Sequence, residues 1–84
     1  MRHFASPSFW EKYDELPDSI QELANKNYEI LKSDPKYPSL HLKKAGKYWS
    51  VRVGRNYRAL GVDIEEGILW FWIGTHAAYD KLLE

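Results

Sequence analysis

Residues 48–62 read YWSVRVGRNYRALGV, and their alternation decides the fold. Trp49, Val51 and Val53 alternate with Tyr48, Ser50 and Arg52, the period of a strand with one buried face. Gly54-Arg55-Asn56 is turn chemistry, and Tyr57 to Val62 reads as the returning strand. A three-residue loop places Val53 opposite Tyr57, and therefore Arg52 opposite Arg58 on the same side of the sheet. Downstream, Asp63 to Gly67 is a second turn, and Ile68 to Ile73 is apolar at every position, ILWFWI. Such a run predicts a strand buried on both faces, central in the sheet or covered by a helix. Upstream, Leu40 and Leu42 alternate with His41 and Lys43 after Pro38, predicting a further strand that turns at Ala45-Gly46-Lys47.

The first half has a different period. Ser6-Pro7 is a helix opening, a serine cap followed by a proline whose missing N–H costs nothing there. Phe9, Trp10, Tyr13 and Leu16 follow at helical spacing. From about Pro17 to Ser33, Ile20, Leu23, Ala24, Asn27, Tyr28 and Leu31 form one stripe with a single polar member. Asp34-Pro35 stops it. Thr75 can cap a last short helix, His76 to Leu83, and Arg2 to Ala5 can add a short strand at the start. The order is that of an α+β domain: a helical hairpin on a mainly antiparallel four-stranded sheet, with a short C-terminal helix. With no repeat or linker, residues 1–84 read as one domain.

The chain has 84 residues, 44% hydrophobic and 15% aromatic, with four Trp, six Tyr and three Phe to build a core that so short a chain must pack densely. Zero cysteines exclude disulfides and thiolate metal sites and suit a reducing compartment. No run approaches the roughly 20 apolar residues that span a bilayer, and the N-terminus lacks a signal-peptide pattern, so a soluble, cytoplasmic protein without a membrane partner is expected. His3, His41 and His76 lack metal-ligand spacing. No glycine-rich loop opens a helix, and no nucleophile motif surrounds Ser39, Ser50 or Thr75. No metal or cofactor is expected.

Twelve Lys and Arg balance twelve Asp and Glu. The balance is uneven along the chain. Lys36, Lys43, Lys44, Lys47, Arg52, Arg55 and Arg58 fall in residues 35–62, which contain no carboxylate, so one local face can be strongly cationic. Arg52 facing Arg58 is destabilising unless an anion sits between them, and paired guanidiniums suit a phosphate; the bland alternative is two arginines on a solvated sheet face. His76 and Tyr79 share a face of the last helix at i and i+3. An imidazole is the natural proton carrier near neutral pH, and a tyrosine a hydrogen-bond donor; here the alternative is a surface histidine and a packing tyrosine. Tyr48, Trp49 and Tyr57, interleaved with the basic residues, could offer a stacking surface for RNA bases, though for Trp49 core packing is the favoured reading. The aromatic residues of ILWFWI are read as core.

The runs KKAGKYWSVRVGRNYRALGV and ILWFWIGTHAAYDKLL resemble the RelE/ParE superfamily of toxins from bacterial type II toxin-antitoxin systems, in particular its RelE/HigB-like branch. LPDSIQELANKNYEIL stands where those proteins carry a helical hairpin. The most specific parts are the W-S-V-R-V-G-x-x-Y-R-A-L core and the H-A-x-Y-D tail. The resemblance implies a RelE-like fold and a ribosome-dependent, metal-free mRNA endonuclease that inhibits translation. Its implied partners are ribosome, mRNA and a cognate antitoxin, in a hetero-oligomer with the antitoxin or as a homo-oligomer. It implies catalytic roles for Arg52, Arg58, His76 and Tyr79, and an RNA-facing role for Lys43, Lys44, Lys47 and Arg55. Ser50 departs from the pattern, standing where some active relatives carry a lysine or glutamate able to act as general base. The neutral overall charge departs too. Two other readings on the same scaffold are a ParE-like DNA gyrase inhibitor and a catalytically inactive antitoxin-binding module.

Overall fold

The computed structural model describes residues 2–83. Strand β1 (Arg2–Ala5) leads into helix α1 (Pro7–Asp14), then α2 (Asp18–Ser33). After a 3-10 turn at Pro38–Leu40, strands β2 (Lys43–Ala45), β3 (Tyr48–Val53), β4 (Tyr57–Ile64) and β5 (Gly67–Thr75) follow, and α3 (His76–Leu82) ends the fold. The sheet order is β1-β5-β4-β3-β2. All pairs are antiparallel except β1 with β5, so the N-terminal strand is real and makes the sheet five-stranded.

Local chemistry explains the elements. Ser6 Oγ accepts from Phe9 N at 3.3 Å and Pro7 occupies the first turn of α1. Thr75 Oγ1 caps α3 by accepting from Ala78 N at 3.1 Å. Gly54 has φ 67°, the left-handed conformation the β3–β4 loop requires. The hairpin register is Val53 with Tyr57 and Arg52 with Arg58, as the turn chemistry predicts.

Two expectations need correction. Leu40 is not a strand residue: Leu40 N bonds Tyr37 O at 3.1 Å in the 3-10 turn, His41 is left-handed at φ 49°, and the ladder begins only at Lys43. Pro35 and Pro38 lack the N–H groups a ladder needs, and the turn drives Leu40 into the core, where it is fully buried. The run ILWFWI is not buried on both faces, although β5 is an interior strand between β1 and β4 and is covered by α1, as expected. Ile68, Trp70 and Ile73 are buried beneath the helices, whereas Leu69, Phe71 and Trp72 are half-buried on the reverse face. The ladder shifts by one residue after Leu60: it pairs with Trp72 while Gly61 pairs with Trp70, leaving Phe71 as an extra residue.

The main core lies between the hairpin and one sheet face, where Leu16, Leu31, Leu40, Val51, Val53, Ala59, Ile68, Trp70 and Ile73 meet. Ser50 and Leu60, out of phase with Val51 and Ala59, belong to the opposite face and are nevertheless buried, at 1% and 2% exposed. Tyr79 of α3, packed on the β4–β5 part of the sheet, is buried outside the main core. The reverse face is therefore partly covered as well, and it carries the arginine pair.

Candidate functional site

Cross-strand pairing lays out the reverse face in rows. Arg52 pairs with Arg58, and Arg58 with Gly74. The next row is Lys43, Ser50, Leu60 and Trp72. Directly opposed residues of one face stand about 5 Å apart at Cβ, so both guanidinium stems rise side by side. Such a pair is repulsive in the free protein and complementary to a bridging dianion.

The two heads are held by different neighbours. Arg58 Nη1 donates to its neighbour Tyr57 O at 3.1 Å. Arg52 reaches the other way, with Nη1 3.5 Å from His41 Nε2, and its Nε is buried with no hydrogen-bond partner among the described residues. A buried donor left unpaired costs stability, so the Arg52 guanidinium is not fully satisfied in the free protein.

His76 enters from the end of β5. Tyr57 pairs with Thr75, and His76 N donates to Asn56 O at 2.7 Å, which ties the start of α3 to the loop between the arginine strands. His76 is thus two residues beyond Gly74, the partner of Arg58. Its ring stacks on Tyr79 at 6.1 Å between centroids, and Nε2 lies 3.5 Å from Asp80 Oδ1, an orienting partner one helical turn along. The structure therefore brings Arg52, Arg58, His76 and Tyr79 to one end of the sheet.

The other basic residues separate. Lys43 is exposed on the row beside Arg52, and Arg55 is exposed in the β3–β4 loop. Lys47 lies 5.4 Å from the Tyr48 ring in the β2–β3 turn. Lys44 stands across from Trp49 on the helix side of the sheet, ion-paired with Asp63. Asp63 also accepts from Trp49 Nε1 at 2.8 Å, and these two bonds hold its carboxyl below the usual carboxylate range. Of the aromatic residues, Trp49 and Tyr57 pack against the main core.

Two residues near the pair were not singled out by their sequence context. His41 meets Arg52 only because the 3-10 turn delivers it to the edge of β3. Trp72 lies over Gly74, where a Cβ would be 2.6 Å from its Cζ2. Among the described residues no group of three or more His, Asp or Glu is placed to hold a metal ion.

A five-stranded sheet with a helical hairpin on one face, an arginine pair on the other and a short C-terminal helix is the architecture of the compact toxin domains of toxin-antitoxin systems. The chain belongs to the ParE-like toxin domain family, whose pattern matches residues 18–81, within the RelE/ParE superfamily. A chain of the RelB–RelE antitoxin–toxin complex from Methanococcus jannaschii superposes with TM-score 0.73 at 18% identity, covering 96% of this chain and 99% of that one. The YoeB/ParE toxin from Agrobacterium tumefaciens superposes with TM-score 0.67 at 18% identity, covering 90% and 99%. The isolated RelE toxin of E. coli gives TM-score 0.63 at 13% identity, covering 96% and 93%. A search of curated proteins by sequence returns no match.

Proposed function

We propose that this toxin domain is a ribosome-dependent, metal-free mRNA endonuclease of the cytoplasm, held inactive by a cognate antitoxin. The observation that carries the reading is the pairing of Arg52 with Arg58 at the end of the sheet where His76 and Tyr79 open the last helix. Metal-free RNA cleavage needs a phosphate grip, a stabiliser for the extra charge of the phosphorane, and proton carriers for the 2′-hydroxyl and the departing 5′-oxygen. Arg58, with Arg52, supplies the first two. His76 exchanges a proton, and Tyr79, stacked on it from a buried position, orients the ring. Lys43, Lys47 and Arg55, all exposed, face ribosomal RNA. Lys44 contributes less, because its charge is engaged by Asp63.

The antitoxin partner is supported by the RelB–RelE complex among the structures of like fold. The family's ParE-like description favours a second reading, inhibition of DNA gyrase through protein contacts on the same scaffold. One experiment separates them: induce the protein in cells, map translation-dependent cuts in mRNA, and repeat with Arg58→Ala and His76→Ala. Cuts that vanish in both variants support the nuclease. Growth arrest without cuts, relieved by gyrase variants, supports the second reading. A folded chain with neither effect leaves an antitoxin-binding module.

A further inference from the structure

The proton inventory of the site is short by one group. In-line cleavage places the attacking 2′-oxygen and the leaving 5′-oxygen on opposite sides of phosphorus, so base and acid must flank the phosphate grip. His76 lies on one flank. Ser50, nearly buried and carrying only a hydroxyl, cannot accept a proton near neutral pH. The geometry of the other flank supplies the missing group.

Lys43 pairs with Ser50, and extending that antiparallel register by two residues puts His41 across from Arg52. The backbone leaves the ladder at His41, with φ 49°, but the side chain stays in the row: its Nε2 is 3.5 Å from Arg52 Nη1. A guanidinium has no acceptor, so a hydrogen bond across this contact requires the lone pair on Nε2 and the ring proton on Nδ1. The row reads His41, Arg52, Arg58, Gly74, with His76 two residues further along β5 into α3. By register, His41 stands beside Arg52 at one end of this row and His76 follows Gly74 at the other. Three strand spacings of about 4.8 Å separate the outer chains of the row, about 14 Å in all.

We infer that His41 is the general base of this site, an assignment that rests on the nuclease reading above. An arriving phosphate draws the Arg52 guanidinium off Nε2 and onto its oxygens, and so frees the lone pair beside the 2′-hydroxyl. Nε2 takes the 2′-hydroxyl proton as the 2′-oxygen bonds phosphorus. The P–O5′ bond breaks, and the 5′-oxygen takes a proton from the His76 imidazolium. The products are a 2′,3′-cyclic phosphate and a 5′-hydroxyl; proton exchange with water resets both rings.

The test uses ribosomes carrying mRNA in single-turnover cleavage at the position the unaltered protein cuts. His41→Asn keeps a residue that tolerates the left-handed backbone, and it should slow cleavage by about 100-fold or more while leaving ribosome binding and thermal stability unchanged. A second mRNA carries sulfur in place of the 5′-bridging oxygen, a leaving group that needs no proton. With it, His76→Ala should recover to near the unaltered rate and His41→Asn should not. His41→Asn cutting at the unaltered rate, or regaining rate with sulfur as His76→Ala does, would overturn the assignment and leave the nuclease reading standing. Failure of the unaltered protein to cut either mRNA would overturn both.

Discussion

The indole of Trp72 occupies the space beside Arg58 that a side chain on Gly74 would fill, for a Cβ built there stands 2.6 Å from Cζ2 and 2.9 Å from Cη2. Gly74 is therefore required by a close approach and not by its backbone angles. Gly74→Ala should destabilise the fold by about 1–3 kcal/mol through overpacking, and adding Trp72→Leu should recover part of that loss. Urea unfolding of the three proteins checks this; a Gly74→Ala protein as stable as its parent would show that the ring moves freely.

The opposed arginines give the proposed phosphate grip a testable stability cost. Arg52→Thr or Arg58→Thr should raise stability by about 0.2–1 kcal/mol, since like charges directly opposed in a sheet repel, and abolish cleavage. Thermal unfolding at low and high salt reads the first effect, which should shrink as salt screens the repulsion. A loss of stability in both variants at low salt would show that packing of the long stems outweighs the repulsion.

Leu40, fully buried from a 3-10 turn, should behave as core. Leu40→Ala should cost about 2–5 kcal/mol, far more than the same change at Leu82, which is 54% exposed. Denaturant midpoints decide it, and equal effects at the two positions would contradict the observed turn.

His3 gives the fold a pH dependence. Its Nδ1 accepts from Trp70 Nε1 at 3.1 Å, the ring stacks on Trp70, and burial, with nearby positive charge including Lys32, holds its pKa below the ordinary 6.5. The folded state then binds fewer protons than the unfolded chain. Stability from this contact is complete above the unfolded value near 6.5 and is lost as pH falls from there towards the folded value. His3→Gln, which keeps an acceptor but cannot titrate, should flatten the change in melting temperature between about pH 7.5 and 5.5. An unchanged slope would assign the dependence to other groups.

Local chemistry made much of this protein legible before any coordinates. Ser6-Pro7 and Thr75 announce two helix starts because a cap needs only a side-chain oxygen within three residues of an N–H. Gly54-Arg55-Asn56 announces the loop, and with it the facing arginines, because a short hairpin transmits its register through neighbours in the chain. His76 and Tyr79 share a helix face for the same reason.

What stayed hidden depends on residues far apart. Parallel pairing of β1 with β5 joins Arg2 to Gly67, and nothing adjacent to either encodes it. The different fates of the two faces of ILWFWI follow from which elements cover them, and the ladder shift at Phe71 from how β4 meets β5. Lys44, one of seven cations in a basic run, is neutralised by Asp63 from another strand, while His41, one unremarkable residue between two leucines, is carried to Arg52 by a turn that a pattern of alternation cannot distinguish from a strand. Short-range preferences act between residues that are always close, whereas these contacts exist only after the chain has closed its long loops, so they are set by the whole packing and by no single segment.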